Sequence, residues 1–321
     1  MVRELAEKVL NGERISKAEA LLLYDQPLDE LSEYADIIRK KYCDNSFDIC
    51  TIINAKSGNC SEDCKFCAQS AYSMTDTEYY PLMSADEIVE RAREDYRQGI
   101  LRFSIVTSGK KLSDAEVDLM CDTVKRISNE VGVSVCVSFG LLDETQFRKL
   151  KEAGADRVHN NLESSENNFP NVCTTHSFQD KVTAIRAAQA AGLSVCSGGI
   201  MGLGESVEDR IDMAIALREL DIKSVPVNML NAIQGTPFID NERISDEELQ
   251  RIVAVYRFIL PDAAIRLAGG RGLLRDKGEA CFRSGANAAI SGDMLTTAGI
   301  TVKTDMEMIE KLEYKPELCK D

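Results

Sequence analysis

Residues 101–139, LRFSIVTSGKKLSDAEVDLMCDTVKRISNEVGVSVCVSF, read as a strand, a helix and a second strand. The flanking runs 101–107 and 133–139 are β-rich, and between them Ser113 and Glu116 have the spacing of a capping box, which starts a helix. That order is a βαβ unit, whose two strands lie parallel. Working outward, the alternation recurs from about residue 47, with β-rich runs near 47–54, 101–107, 133–139, 156–161, 193–198, 222–228, 263–268 and 287–291. Ser84 with Glu87 and Ser245 with Glu248 repeat the capping spacing. Met213, Ala216, Leu217 and Leu220 form one apolar stripe, and Leu249, Ile252, Val253 and Tyr256 another, each able to cover a sheet. Eight strands with eight covering helices predict an α/β fold of the (β/α)8 barrel type, although a doubly wound open sheet shows similar alternation. The expected organisation is an N-terminal helical extension over 1–40, the barrel over 41–299 and a charged, peripheral tail over 300–321.

Bulk properties narrow the function. The chain has 321 residues, 44% of them hydrophobic, enough to fill a sizeable core. Its net charge of −15 argues against nucleic acid or an anionic membrane as partner, because a phosphate backbone needs a basic footprint. No apolar run approaches the roughly 18 residues of a membrane span. The N-terminal stretch carries charges where a signal peptide has its apolar core, so a cytoplasmic location is expected. Eleven cysteines in such a chain point to metal binding or catalysis rather than a disulfide framework. With only two histidines, a His-rich zinc site or a Ser-His-Asp hydrolase is a poor match.

The strongest local signal is NCSEDCKFC, residues 59–67, just after the first strand. Cys60, Cys64 and Cys67 lie on a turn that contains Gly58, so their thiolates can converge on one metal centre. No nearby fourth Cys or His has zinc-ribbon spacing, and three ligands leave one iron of a 4Fe-4S cubane open. The spacing, with Phe66 just before the last cysteine, resembles the radical S-adenosylmethionine superfamily. There the open iron binds S-adenosylmethionine, whose reductive cleavage gives a 5′-deoxyadenosyl radical.

The wider resemblance, over about residues 47–297, is to the biotin synthase family. It is carried by AKSGNCSEDCKFCAQS, VCSGGIMGLGES, VPVNMLNAIQGTPF, IRLAGGRG and SGANAAISGD. Lipoyl synthase would need a second, N-terminal cysteine triplet, which is absent. The resemblance implies that sulfur is inserted between C9 and C6 of dethiobiotin, with sulfide drawn from an auxiliary iron-sulfur cluster. It also implies an external electron donor of flavodoxin or ferredoxin type and a homodimer. A related radical enzyme such as a hydrogenase maturase, or a non-catalytic iron-sulfur protein, is the alternative.

The resemblance assigns the auxiliary cluster to Cys136, Cys196 and Arg266. Both cysteines lie on strands where one parity faces the lumen, and Arg266 sits between Ile265 and Leu267 on the seventh strand, where a buried guanidinium needs a partner. The common pattern has a further cysteine where this chain has Ser104, and a serine where this chain has Cys50. Cys50 shares a strand face with Asn54, and Cys43 lies just upstream. Cys50, Cys136 and Cys196, joined by Cys43 if its loop folds inward, predict a four-iron auxiliary cluster, as in a subgroup that this chain resembles. A 2Fe-2S cluster with Ser104 as a weak ligand is the alternative, and Cys121, Cys173, Cys281 and Cys319 are read as structural. For S-adenosylmethionine and substrate, the resemblance implies Asn161 and Glu163 at ribose and substrate, and Lys181 near the methionine carboxylate, where the family has arginine. Ile200 and Met201 are implied beside adenine, and Asn228 at the ureido ring or methionine group. His159 stands where the family often has an asparagine that hydrogen-bonds the ureido ring, and is carried over as a substrate-binding position. Gly198 and Gly199 are expected to let backbone approach a ligand.

Overall fold

A computed structural model describes residues 1–319. Its strands are β1 Ser46–Lys56, β2 Arg102–Thr107, β3 Ser134–Ser138, β4 Arg157–His159, β5 Ser194–Cys196, β6 Gly199–Met201, β7 Ser224–Met229, β8 Ala264–Leu267, β9 Ala288–Ser291 and β10 Lys315–Pro316. All their pairings are parallel, and β1 pairs with both β2 and β9, which closes the sheet into a barrel. The fifth predicted run, 193–198, holds only β5, and a short further strand that the sequence reading did not place, β6, follows it; both pair with β7. The open-sheet alternative is therefore excluded by the β1–β9 seam.

Helices cover the barrel where the capping signals put them. Ser84 and Ser113 form full reciprocal boxes at the heads of Ala85–Arg97 and Asp114–Glu130. Ser245 accepts from the Glu248 amide, but that glutamate does not return the bond. Its carboxylate is engaged instead by Tyr24 and Arg210, which tie the N-terminal extension to the barrel. Leu249, Ile252, Val253 and Tyr256 are all buried, as their spacing predicts.

Three helices, Val2–Leu10, Lys17–Tyr24 and Leu28–Cys43, precede the barrel. The tail departs from expectation. Helix Val302–Lys311 is anchored by Asp305, which is buried 2.6 Å from Arg271 Nη2. The Tyr314 hydroxyl donates to the Phe282 and Ala286 carbonyls, and β10 adds to the edge of β1. Net charge hid these anchors, since only a few residues of a polar segment need to be buried to dock it. Among the described residues, no helix is long and apolar enough to cross a membrane.

Candidate active site

Strand parity sends alternate side chains into the lumen, and the register decides which ones meet. Ser104 pairs with Cys136, Cys136 with Arg157, His159 with Cys196, and Pro226 with Arg266. Cys50, Ser104, Cys136, Cys196 and Arg266 all line one cavity of about 390 Å³, which is ligand-sized. Arg266 Nη1 donates to Cys50 Sγ at 3.1 Å and to the Asp48 and Ala289 carbonyls at 2.9 and 3.0 Å. Its Nη2 lies 2.8 Å from Asp48 Oδ1, off the axis of a linear hydrogen bond.

Asp48 is the centre of a charge cluster that sequence reading did not find. Arg102 and Arg157 approach its Oδ2 at 3.5 and 3.7 Å, so three buried guanidiniums face one buried carboxylate. The available signal was a charge within each of the runs FDICT, LRFSI and DRVHN, the same signal that marked Arg266. Burial alone would raise the Asp48 carboxyl, but the three arginines hold it well below the usual carboxylate range. Burial also pushes up the Cys50 thiol, and takes Cys136 to about 12. Cys196 goes the other way, to about 6, because a hydrogen bond from His159 and the nearby guanidiniums outweigh burial. Guanidiniums beside these thiols suit an anionic thiolate-ligated cluster.

The triplet occupies the loop after β1. Left-handed Gly58 and Asn59 turn the chain, and Gln69 Oε1 accepts from the Gly58 amide at 3.0 Å. Backbone bonds between Cys60 and both Gln69 and Ala71 close the loop, and Cys67 N donates to the Cys64 carbonyl. Of the three cysteines, Cys67 lines the cavity, where burial pushes its thiol up to about 11. Among the described residues, the one group of three or more Cys, His or acidic donors drawn within 4.8 Å of one another is Cys64, Cys173 and His176. Neither the triplet nor the lumen thiols have collapsed onto a point. Separated sulfurs suit a multi-iron cluster, which takes about one thiolate per iron, better than a single ion, which gathers its ligands.

The cavity wall includes His159, Asn161, Glu163, Lys181, Ile200 and Asn228. Asn160, which the sequence reading passed over, also lines it and accepts from Lys181 Nζ at 3.3 Å. Asn161 Oδ1 accepts from the Gly198 amide, and its Nδ2 points to Glu163. Asn228 is held by backbone at both ends, donating to the Gly199 carbonyl and accepting from the Gly269 amide.

Three expectations need correction. Met201 is fully buried and does not line the cavity: β6 alternates, so with Ile200 facing in, Met201 faces the core. Cys43 is also absent from the wall. It ends a helix at the base of the barrel, its Sγ 3.4 Å from Arg257 Nη1 and near the Pro261 and Ala263 carbonyls. Gly198 and Gly199 admit neighbouring backbone rather than a ligand, since a Cβ there would meet the Pro226 carbonyl oxygen at 1.9 Å and the Glu163 carbonyl oxygen at 2.6 Å.

Residues 54–217 match the profile of the Radical SAM superfamily. The closed barrel, the cysteine loop beside its mouth and that match define a radical S-adenosylmethionine barrel, a class whose cofactors are a 4Fe-4S cluster and S-adenosylmethionine. Residues 226–315 match the Biotin and Thiamin Synthesis associated domain. "Biotin synthase" of Brachyspira hyodysenteriae is 56% identical over 318 residues, covering 99% of this chain and 96% of that one. "Biotin synthase 2" of Corynebacterium diphtheriae is 56% identical over 98% of this chain and 95% of its own. The chain belongs to the biotin synthase family. Among solved structures, methylornithine synthase superposes with a TM-score of 0.84 at 20% identity, covering 98% of this chain and 97% of that one. The FeFe-hydrogenase maturase of Carboxydothermus hydrogenoformans gives 0.81 at 18% identity, covering 99% and 80%. These two likenesses concern the fold alone.

Proposed function

We propose that this chain inserts sulfur between C6 and C9 of dethiobiotin, with Cys60, Cys64 and Cys67 as ligands of the 4Fe-4S cluster. Cys50, Cys136, Cys196 and Arg266 are the proposed ligands of an auxiliary cluster. The observation that carries this reading is one cavity with Cys67 in its wall and three further thiols beside Arg266. When bound, the cofactors supply the one-electron chemistry that takes hydrogen from carbon, and the sulfide. The protein holds the reacting atoms in line and keeps water out.

Lys181 is the cation for the methionine carboxylate, acting as a point charge rather than a bidentate fork. Asn161 and Glu163 orient the ribose and substrate, and Ile200 gives adenine an apolar wall. Glu163 has a φ of 68°, a conformation uncommon outside glycine, which aims its carboxylate from a fixed backbone. His159 lies against Cys196, which supports a role beside the auxiliary cluster more than one at the ureido ring. Asn228, engaged at both ends, acts by holding β6 against β7 and the Gly269 loop. The electron comes from an external donor of flavodoxin or ferredoxin type, and the enzyme acts as a homodimer.

Two hydrogens leave two carbons, so each biotin formed should accompany about two 5′-deoxyadenosines once uncoupled cleavage is subtracted. A ratio near one, measured in anaerobically reduced protein, contradicts the reading.

The Arg266 bond to Cys50 supports a four-iron auxiliary cluster over a 2Fe-2S one, with Ser104 beside Cys136 as a hydrogen-bonding partner instead of a ligand. With Cys43 outside the lumen, the protein donors number three thiols and one guanidinium. Fully reconstituted protein should then hold about eight irons per chain, and Cys50→Ala should lose only the auxiliary share of about four. About six irons with a 2Fe-2S spectrum, unchanged by Cys50→Ala, would overturn this ligand set.

A further inference from the structure

The loop that carries the triplet meets a second chemistry-bearing segment, Cys173-Thr174-Thr175-His176, which no part of the proposed reaction uses. Cys64 Sγ lies 3.7 Å from Cys173 Sγ, and Cys173 Sγ lies 3.3 Å from His176 Nδ1. Two sulfurs bound to one tetrahedral zinc ion at about 2.3 Å each lie about 3.8 Å apart, and a sulfur and an imidazole nitrogen about 3.5 Å apart. The three side chains therefore already stand close to the spacing of a single ion's ligands, unlike the dispersed triplet.

The surroundings hold that arrangement in place. Asp63 accepts from the Thr174 and Thr175 amides at 2.8 and 3.1 Å and lies 3.1 Å from Cys173 Sγ. Glu62 Oε2 also lies 2.7 Å from His176 Nδ1, so in the metal-free chain this carboxylate orients the ring with the nitrogen that would bind the ion facing the two thiols. Phe169 packs edge-on against the His176 ring at 5.6 Å, which limits its rotation. His176 is buried, one of only two histidines in the chain.

We propose that Cys64, Cys173 and His176 form a binding site for a single divalent ion of the zinc type, filled only while Cys64 is not engaged by the iron-sulfur cluster. The site takes two thiolates and one imidazole, with the Glu62 carboxylate the oxygen donor at hand for the fourth position. Binding displaces to water the proton on the Cys64 thiol and the proton held between Cys173 and His176 Nδ1, and changes no oxidation state. The exclusivity rests on Cys64 being a cluster ligand, as proposed above. A zinc-loaded chain withholds Cys64 from cluster assembly, so the site makes loading of the enzyme sensitive to competing thiophilic metal.

The test uses the full cluster-free chain, reduced and stripped of metal under anaerobic conditions, and titrated with Co²⁺ as a spectroscopic probe. One Co²⁺ per chain should bind with thiolate charge-transfer and tetrahedral ligand-field bands, and Zn²⁺ should displace it. Cys173→Ala and His176→Gln should each weaken binding at least about 100-fold, while Cys60→Ala and Cys67→Ala leave it within a few-fold. Circular dichroism of each variant separates loss of a ligand from loss of fold. One equivalent of Zn²⁺ should slow cluster reconstitution in the parent chain but not in Cys173→Ala. Cobalt binding that survives Cys173→Ala and is lost in Cys60→Ala or Cys67→Ala would put the ion on the triplet and overturn the proposal, as would the absence of a tetrahedral band. Failure of the triplet assignment looks different, because Cys60→Ala would then reconstitute a complete cluster.

Discussion

Cys67→Ala is expected to cut 5′-deoxyadenosine formation by more than about 99% and to remove about four irons per chain, while the fold survives. The chemistry belongs to the cofactor, and a cubane with one of three protein ligands missing is poorly held and exposed to solvent. The fold survives because the residue contributes little to it. Its structural bonds are made by its backbone amide and carbonyl, to Cys64 and Ser70, and these persist in alanine. Its thiol is pushed up to about 11 by burial, so in the cluster-free chain the substitution removes no charge at neutral pH. An unfolding free energy from chemical denaturation that changes by less than about 1 kcal/mol, together with lost iron, is the expected pair of results. Undiminished 5′-deoxyadenosine in this variant contradicts the proposed role of the triplet.

The largest stability effect is expected one layer deeper. Asp48→Asn should destabilise the cluster-free chain by roughly 3–5 kcal/mol, because it removes the counter-charge of the buried Arg266 guanidinium. Arg266, at 2.8 Å, loses most, and Arg102 and Arg157 at 3.5 and 3.7 Å lose their long-range attraction. The pH dependence has a definite sign. Asp48 is held below its unfolded value, so its contribution is fully present above an unfolded pKa of about 3.9 and is lost as pH falls through the folded value. The gap between parent and variant should stay constant from neutral pH down to about 4 and narrow only below that. Urea unfolding at several pH values measures it. A gap under about 1 kcal/mol at pH 7 means that Asp48 is not the counter-ion of this cluster.

Much of the site was legible because strand parity is a local property. Cys136, Cys196 and Cys50 sit on runs whose alternation predicts an inward face, and each lines the cavity. Arg266 was legible because a charge between apolar neighbours on a strand requires a partner. Asp48, Arg102 and Arg157 carried the same signal, but their partnership spans strands far apart in the chain. Met201 misled because a resemblance transfers a position without the side-chain direction, and β6 turns it into the core. Cys173 read as structural because nothing local distinguishes it, and Cys64 approaches it only where two loops meet over the barrel mouth.

The sequence by itself determined the repeated βα units, the helix starts, the loop that carries three thiols and the family to which the chain belongs. These depend on interactions between residues a few positions apart, or on motifs read in order. Only the tertiary structure decided that the sheet closes between β1 and β9, that Asp48 faces three arginines, that Cys43 stays outside the lumen and that the charged tail docks through Asp305. Each of those is a contact between residues distant along the chain, and which distant residues meet is set by strand register and barrel closure, which no local pattern encodes.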